Sequence, residues 1–238
     1  MNRQRSTAVI KTMMMTMIKR ASLLCGFSLL ALSAFSQEKD FGIWYGASAE
    51  YKILNRLEAD LSTCFRTYDN AGKLEQSYLE GGLSYKFNDY LAAAASYRIT
   101  ENIENDDSYH IQHKWFLDVR GILPLGNFKI TGRAIFQQRY KTYIEDDNDE
   151  LPSSHGRFRL KTLYDFPAFP VDPYISAEIF CPLFKDSAMV IDKKRMAGGV
   201  ELDITAHHSF EAGYIFQRDY FPDLVDENIL SLSYTFKF

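Results

Sequence analysis

Beyond residue 36 the chain has no apolar run approaching the roughly 20 residues a helix needs to cross a bilayer. A helical membrane protein is excluded on that ground. Cysteine is scarce, with 3 in 238 residues, too few for the disulfide framework of a small secreted domain. A basic excess is missing as well. Lys and Arg number 27 against 31 Asp and Glu, which argues against nucleic acid, because phosphate backbones reward basic patches. No G-x-S-x-G nucleophile motif occurs. The acidic run Asp146-Asp147-Asn148-Asp149 lacks the glycine and the closing glutamate of a calcium loop at their spacing. His207 and His208 are adjacent, so on a strand they point oppositely. No metal and no other cofactor is expected. What the chain does have is aromatic residues, 15% of the total, with 15 Tyr and 18 Phe. Girdles of aromatics at the two interfaces of a membrane β-barrel supply a cause. The mean hydropathy of -0.25 fits the same architecture, since only alternate strand residues face lipid.

Residues 1–36 read as a signal peptide, and 37–238 as the mature domain. Arg3, Arg5, Lys11, Lys19 and Arg20 form a positive start without an acid, Ala21 to Phe35 is apolar, and Ala34-Phe35-Ser36 places small residues where a signal peptidase cuts. The apolar stretch is too short for a spanning anchor. Cys25, preceded by Ser22-Leu23-Leu24, lacks the small neighbour expected before a lipidated cysteine. Five of the 27 basic residues lie in this leader, which leaves 22 against 31 acids and a net charge of -9 for the mature chain.

The rest of the chain alternates with period two, the signature of strands whose faces meet different environments. At the far end Leu230, Leu232, Tyr234, Phe236 and Phe238 oppose Ser231, Ser233, Thr235 and Lys237. In 57–68, Leu57, Ala59, Leu61 and Phe65 oppose Glu58, Asp60, Ser62 and Arg66; in 110–122, Ile111, Trp115, Leu117 and Val119 oppose Gln112, Lys114, Asp118 and Arg120. Similar segments lie at 78–87, 90–100, 128–140, 156–166, 195–204 and 209–219; those near 41–53 and 173–181 are less clean. Most run about 10 to 13 residues, beyond the usual soluble strand of about 5 or 6 and suited to a tilted membrane strand.

The connections alternate in length. Leu54-Asn55, Asn88-Asp89, Pro124-Leu125-Gly126 and Ala206-His207 are tight, whereas 69–77, 101–109, 141–155, 182–194 and 221–228 read as longer polar loops. The loops carry Glu104, Asp106 and Asp107, then Glu145, Asp146, Asp147, Asp149 and Glu150. Short periplasmic turns and long external loops mark outer-membrane barrels. The expected fold is therefore all-β, one antiparallel transmembrane barrel of about 10–12 strands. Eleven segments are visible, but single-chain bacterial barrels have even counts, so ten or twelve strands are expected. A soluble secreted barrel of lipocalin type also alternates and is the competing fold reading.

Several stretches carry a resemblance. Phe41-Gly42-Ile43-Trp44-Tyr45, the tight turn followed by Leu57, Ala59 and Leu61 at alternate positions, Arg157-Phe158-Arg159-Leu160-Lys161, and Tyr234-Thr235-Phe236-Lys237-Phe238 resemble a family of bacterial outer-membrane proteins of unknown function, DUF2490, over roughly residues 40 to 238. The resemblance implies a barrel of the bacterial outer membrane and brings no active site. The alternating aromatics up to Phe238 resemble the signal read by the barrel-insertion machinery. That machinery and the membrane's lipids are the expected partners.

On the inner face, cations cluster on three neighbouring strands: Lys114, Arg120, Lys129, Arg133, Arg139, Arg157, Arg159 and Lys161. Acids dominate later strands at Glu178, Glu201, Asp203, Glu211 and Asp219, while earlier ones carry Glu58, Asp60, Glu80 and Arg98. Two arrangements follow. The charges pair across a narrow lumen and fill it, or a basic wall faces an acidic wall across water and makes a small selective pore. The first is expected, with Arg157, Arg159, Arg133 and Glu201 in the network. The role is then structural, or that of a narrow passive pore, and not enzymatic. An outer-membrane hydrolase would draw on His110, His113, His155, Ser108, Ser153 and Ser154 at the rim, because a triad is defined by geometry rather than order. Cys64 falls on the inner phase and Cys181 on the outer, so no disulfide is expected.

Overall fold

The computed structural model describes residues 40–103, 108–143, 152–167, 169–183, 190–220 and 224–238. They form eleven strands: β1 (Asp40–Leu54), β2 (Leu57–Tyr68), β3 (Lys73–Lys86), β4 (Leu91–Ile103), β5 (Tyr109–Leu125), β6 (Phe128–Lys141), β7 (Ser153–Tyr164), β8 (Val171–Leu183), β9 (Lys193–Asp203), β10 (His208–Asp219) and β11 (Val225–Lys237). Each pairs antiparallel with the next, and β1 closes the barrel against β11. The strands run from 11 residues in β9 to 17 in β5.

The strand count corrects the even number expected from sequence. With every consecutive pair antiparallel, an odd count sends the first and last strands in the same direction, so the seam between them is parallel. It runs from Asp40 opposite Glu227 to Glu50 opposite Lys237, with Ser48 Oγ and Thr235 Oγ1 in hydrogen-bond contact at 2.8 Å. Parallel pairing is slightly less favourable per residue, but it leaves no bare edge, which is what closure requires. The segment at 41–53, untidy in sequence, is an ordinary and full-length strand.

The turns β1–β2, β3–β4, β5–β6 and β9–β10 are tight and lie at one end of the barrel together with the 165–170 connection. The opposite end carries the connections β2–β3, β4–β5, β6–β7, β8–β9 and β10–β11. All five are shorter than the sequence suggested. β11 begins at Val225, and β3 already begins at Lys73. Asp69, Asn70 and Ala71 make that early return with φ of 52°, 55° and 63°. The left-handed region suits Asp and Asn, and Ala71 is held there by its N–H donating to Phe41 O at 2.8 Å. The expected leader and the loop acids Glu104, Asp106, Asp107, Glu145, Asp146, Asp147, Asp149 and Glu150 lie outside the described residues.

The outward faces form one apolar band. Leu61, Leu79, Leu83, Leu117, Val119, Phe158, Leu160, Ile175 and Met196 are all exposed. Aromatic rings ring the short-turn end, where Phe128 meets Tyr164 at 4.9 Å, Tyr164 meets Phe166 at 4.7 Å, Phe236 meets Phe238 at 4.6 Å and Tyr51 meets Phe238 at 6.2 Å. Toward the other end, the outward face turns polar. Trp115 Nε1 donates to Gln138 Oε1 at 3.0 Å, Tyr97 Oη contacts His113 Nδ1 at 2.7 Å, and Arg218 Nε reaches Asp226 Oδ1 at 2.6 Å.

Candidate functional site

All seventeen charged residues assigned to the inner face from sequence share the inward phase of their strands. The inward positions divide along the barrel. Beginning about seven residues in from the short-turn end, they are buried: Cys64, Gln76, Thr100, Gln112, Phe116, Asp118, Ile135, Glu178, Phe180, Ile215, Gln217 and Ile229. Nearer the short turns most are only half-buried, including Asp60, Ser84, Ala92, Ala94, Arg120, Arg133, Arg159, Lys161 and Glu201.

The buried half is organised by one carboxylate. Glu178, 5% exposed, accepts from Arg157 Nη2 at 2.8 Å and Nε at 3.2 Å on one oxygen, and from Arg195 Nη1 at 3.4 Å on the other. Arg157 also donates to Gln137 Oε1 at 3.2 Å, and Arg195 donates to Gln217 Oε1 at 2.5 Å. The guanidinium planes lie on aromatic faces. Arg157 sits 4.6 Å from the Phe180 ring, Arg195 lies 5.2 Å from Phe180 and 4.9 Å from Trp44, and Arg66 lies 4.0 Å from Trp44. Arg98 stacks 3.8 Å from Tyr78, 5.0 Å from Phe116, and pairs with Glu80 at 2.6 Å. Arginine suits this role because its planar fork binds carboxylate edge-on while its faces stack on rings. The result is a cross-braced filling of cations, carboxylates and rings, with Asp118 held by Arg133 at 2.6 Å.

A second cluster lies on β7 to β10. Lys161 Nζ meets Glu201 at 2.5 Å and Glu211 at 3.3 Å, and lies 3.8 Å from the Tyr174 ring. Tyr174 Oη donates to Glu211 Oε1 at 2.7 Å. The ring reaches across β9 because Gly199 and Gly213 leave it space: a Cβ on Gly213 would overlap the Tyr174 hydroxyl, and one on Gly199 would overlap the Ala212 carbonyl. We expect Gly199→Ala to destabilise the barrel by about 1–3 kcal/mol, the range for overpacking against atoms that cannot move aside. Urea unfolding in detergent measures it.

Of the other charges assigned from sequence, Glu58 pairs with Lys86 at 2.5 Å, Asp203 with Lys237 at 3.8 Å, and Arg139 Nε donates to Ser153 Oγ at 3.1 Å. Lys114, Arg120, Arg159 and Asp60 face inward but form no ion pair among the described residues, Arg159 lying in register with Glu178. Sequence reasoning did not assign to the site Trp44, Tyr78, Phe116, Tyr174 and Phe180, nor Arg66, Asp118, Arg195 and Gln217. The aromatics fall on the polar phase of their strands, next to arginines on neighbouring strands, and that displacement is the signal that marks them.

The serine and histidine candidates separate. Ser108 Oγ contacts His110 Nε2 at 2.5 Å at the start of β5, while His155 Nε2 contacts Asp192 Oδ2 at 3.0 Å from β7, two strands away. Ser154, on the outward phase of β7, accepts from Gln138 Nε2 at 3.2 Å. Cys64 and Cys181 are free and buried.

Residues 41–228 match the family described as "Protein of unknown function (DUF2490)". Among curated proteins none matches. Solved structures of similar shape include the β-domain of the Bordetella autotransporter BrkA, with TM-score 0.45 and 12% identity, covering 68% of this chain and 75% of that one. A bacterial polysaccharide outer-membrane secretin reaches TM-score 0.48 at 8% identity over 74% of this chain and 73% of its own. The translocator domain of the autotransporter NalP from Neisseria meningitidis gives 0.43 at 10% identity over 85% and 91%.

Proposed function

We propose that this chain, which belongs to the DUF2490 family, is a barrel of the bacterial outer membrane whose lumen is closed by its own side chains. Its first 36 residues are the export signal, the insertion machinery seats it, and the lipids cover its outward band. The single observation that carries the reading is an inversion of burial. Leu61, Leu83 and Leu117 on the outward faces are each at least half exposed (53%, 52% and 50%), while inward Glu178, Gln217 and Gln112 are 5%, 4% and 3% exposed. A water-soluble protein rarely leaves so wide an apolar surface uncovered. A closed sheet, greasy outside, satisfies every backbone group in hydrocarbon without help from water.

The role that follows is structural: a membrane-embedded platform that presents its longer connections at one rim, with passage through the lumen blocked or limited to the smallest ions. Purified protein in planar bilayers should give no large, stable single-channel steps. The combined variant Phe116→Ala/Phe180→Ala/Arg195→Ala removes the filling where it is thickest and should conduct, which verifies that protein is inserted. Large steps from the unaltered chain would overturn the closed lumen.

A further inference from the structure

We propose that the short-turn half of the lumen holds a binding site for a small multivalent oxyanion, of phosphate or sulfate type, built by Arg120, Arg133 and Arg159. The three are direct cross-strand partners in one row: Arg120 is in register with Arg133, and Arg133 with Arg159. Adjacent strands lie about 4.8 Å apart, so three positive charges crowd one wall within roughly 10 Å. Like charges placed opposite each other on a sheet are destabilising unless something compensates them.

The barrel's own carboxylates supply that compensation only in part. Asp118 pairs with Arg133 alone, at 2.6 Å, and Arg133 Nε is buried without a hydrogen-bond partner. Glu178 is in register with Arg159 but is engaged by Arg157 and Arg195. Glu201 and Glu211 are engaged by Lys161. Among the described residues no carboxylate forms an ion pair with Arg120 or Arg159. Three guanidinium groups thus have one acid at ion-pairing distance.

The wall beside the row begins with small side chains, Ala92 in register with Arg120 and Ala94 with Asp118; one strand further come Ser84 and Gly82, with Lys86, in register with Ala92, paired to Glu58. Arg120, Arg133 and Arg159 are half-buried, in contrast to the closed half beyond them. Asp60, whose carboxylate rests against Gly82 with Oδ1 2.6 Å from where a Cβ would stand, carries the negative charge on the far side of that small wall. It opposes an incoming anion. Guanidinium forks bind oxyanions through paired, charge-assisted hydrogen bonds, so tetrahedral oxyanions with two or more charges fit the row best. The row faces the lumen, so the ligand is soluble and not a lipid headgroup. The inference does not depend on whether the lumen conducts.

The test is isothermal titration of the full-length folded protein in lipid-free detergent with inorganic phosphate and pyrophosphate at constant chloride. Saturable binding is expected. Arg120→Gln/Arg159→Gln should weaken it by at least about tenfold, the loss of charge-assisted hydrogen bonds, and Asp60→Asn should strengthen it. Heat-modifiable gel migration reports whether each variant is folded. No saturable binding by the unaltered protein overturns the proposal, as does undiminished affinity in the folded arginine variant. If that variant does not fold, Asp60→Asn decides, and an affinity equal to that of the unaltered protein overturns it. Binding that appears only when lipid is restored would assign the anion to a headgroup and overturn the soluble ligand.

Discussion

Replacing Glu178 with glutamine should remove about 3–5 kcal/mol of stability, the cost of stranding buried charge without its partner. The carboxylate is 5% exposed and bridges two guanidiniums that are each 17% exposed. An amide keeps the shape but leaves Arg157 and Arg195 facing each other with their counter-charge gone. Equilibrium unfolding in urea, with detergent or lipid present, measures the loss. The triple variant Arg157→Met/Glu178→Leu/Arg195→Met should recover most of it, because removing a buried ionic group as a unit avoids the stranded charge. A single-site loss below about 1 kcal/mol, the value of an exposed pair, would show that water reaches Glu178 and that the lumen is not filled.

The second large effect concerns the outside. Leu117 lies midway along β5, on the outward phase, and is 50% exposed. With the band in hydrocarbon, Leu117→Arg should cost about 2–4 kcal/mol, as for an arginine at the bilayer midplane. With the same face in water the change would fall within about 0.5 kcal/mol. Unfolding titrations in phospholipid vesicles separate the two. Near-zero change in vesicles would remove the barrel from the membrane.

Much of this fold is legible in the sequence because a barrel strand is written twice, once in period two and again in the turns. Segments such as 57–68 and 128–140 show clean alternation, since their outward residues are almost all apolar and their inward ones almost all polar. The segments at 41–53 and 173–181 look irregular for a physical reason: Trp44, Tyr174 and Phe180 point inward, where arginine and lysine stack on them. Hydropathy treats an inward ring as an error in phase. The even strand count failed because alternation reports which face a residue takes and carries nothing about which strand meets the first one across the seam. The loop at 69–77 failed because Asp69-Asn70-Ala71 is polar yet adopts a compact left-handed return. Within the lumen, the facing of all seventeen charges was readable from period two. Which of them pair was not, since Glu178 reaches Arg157 and Arg195 on the strands to either side, and Lys161 reaches Glu201 and Glu211 further round the wall.

The parallel seam also restricts how this protein can be rebuilt. In an all-antiparallel barrel the first and last strands end at the same rim, and a few residues suffice to join them for circular permutation. Here Asp40 lies beside Glu227 at one rim, while Glu50 lies beside Lys237 toward the other. At about 3.3 Å per residue, any joining segment must travel roughly 35 Å along the barrel, through a packed interior or through oil. Relocating the break to another hairpin, routine for barrels of even count, is closed to this one.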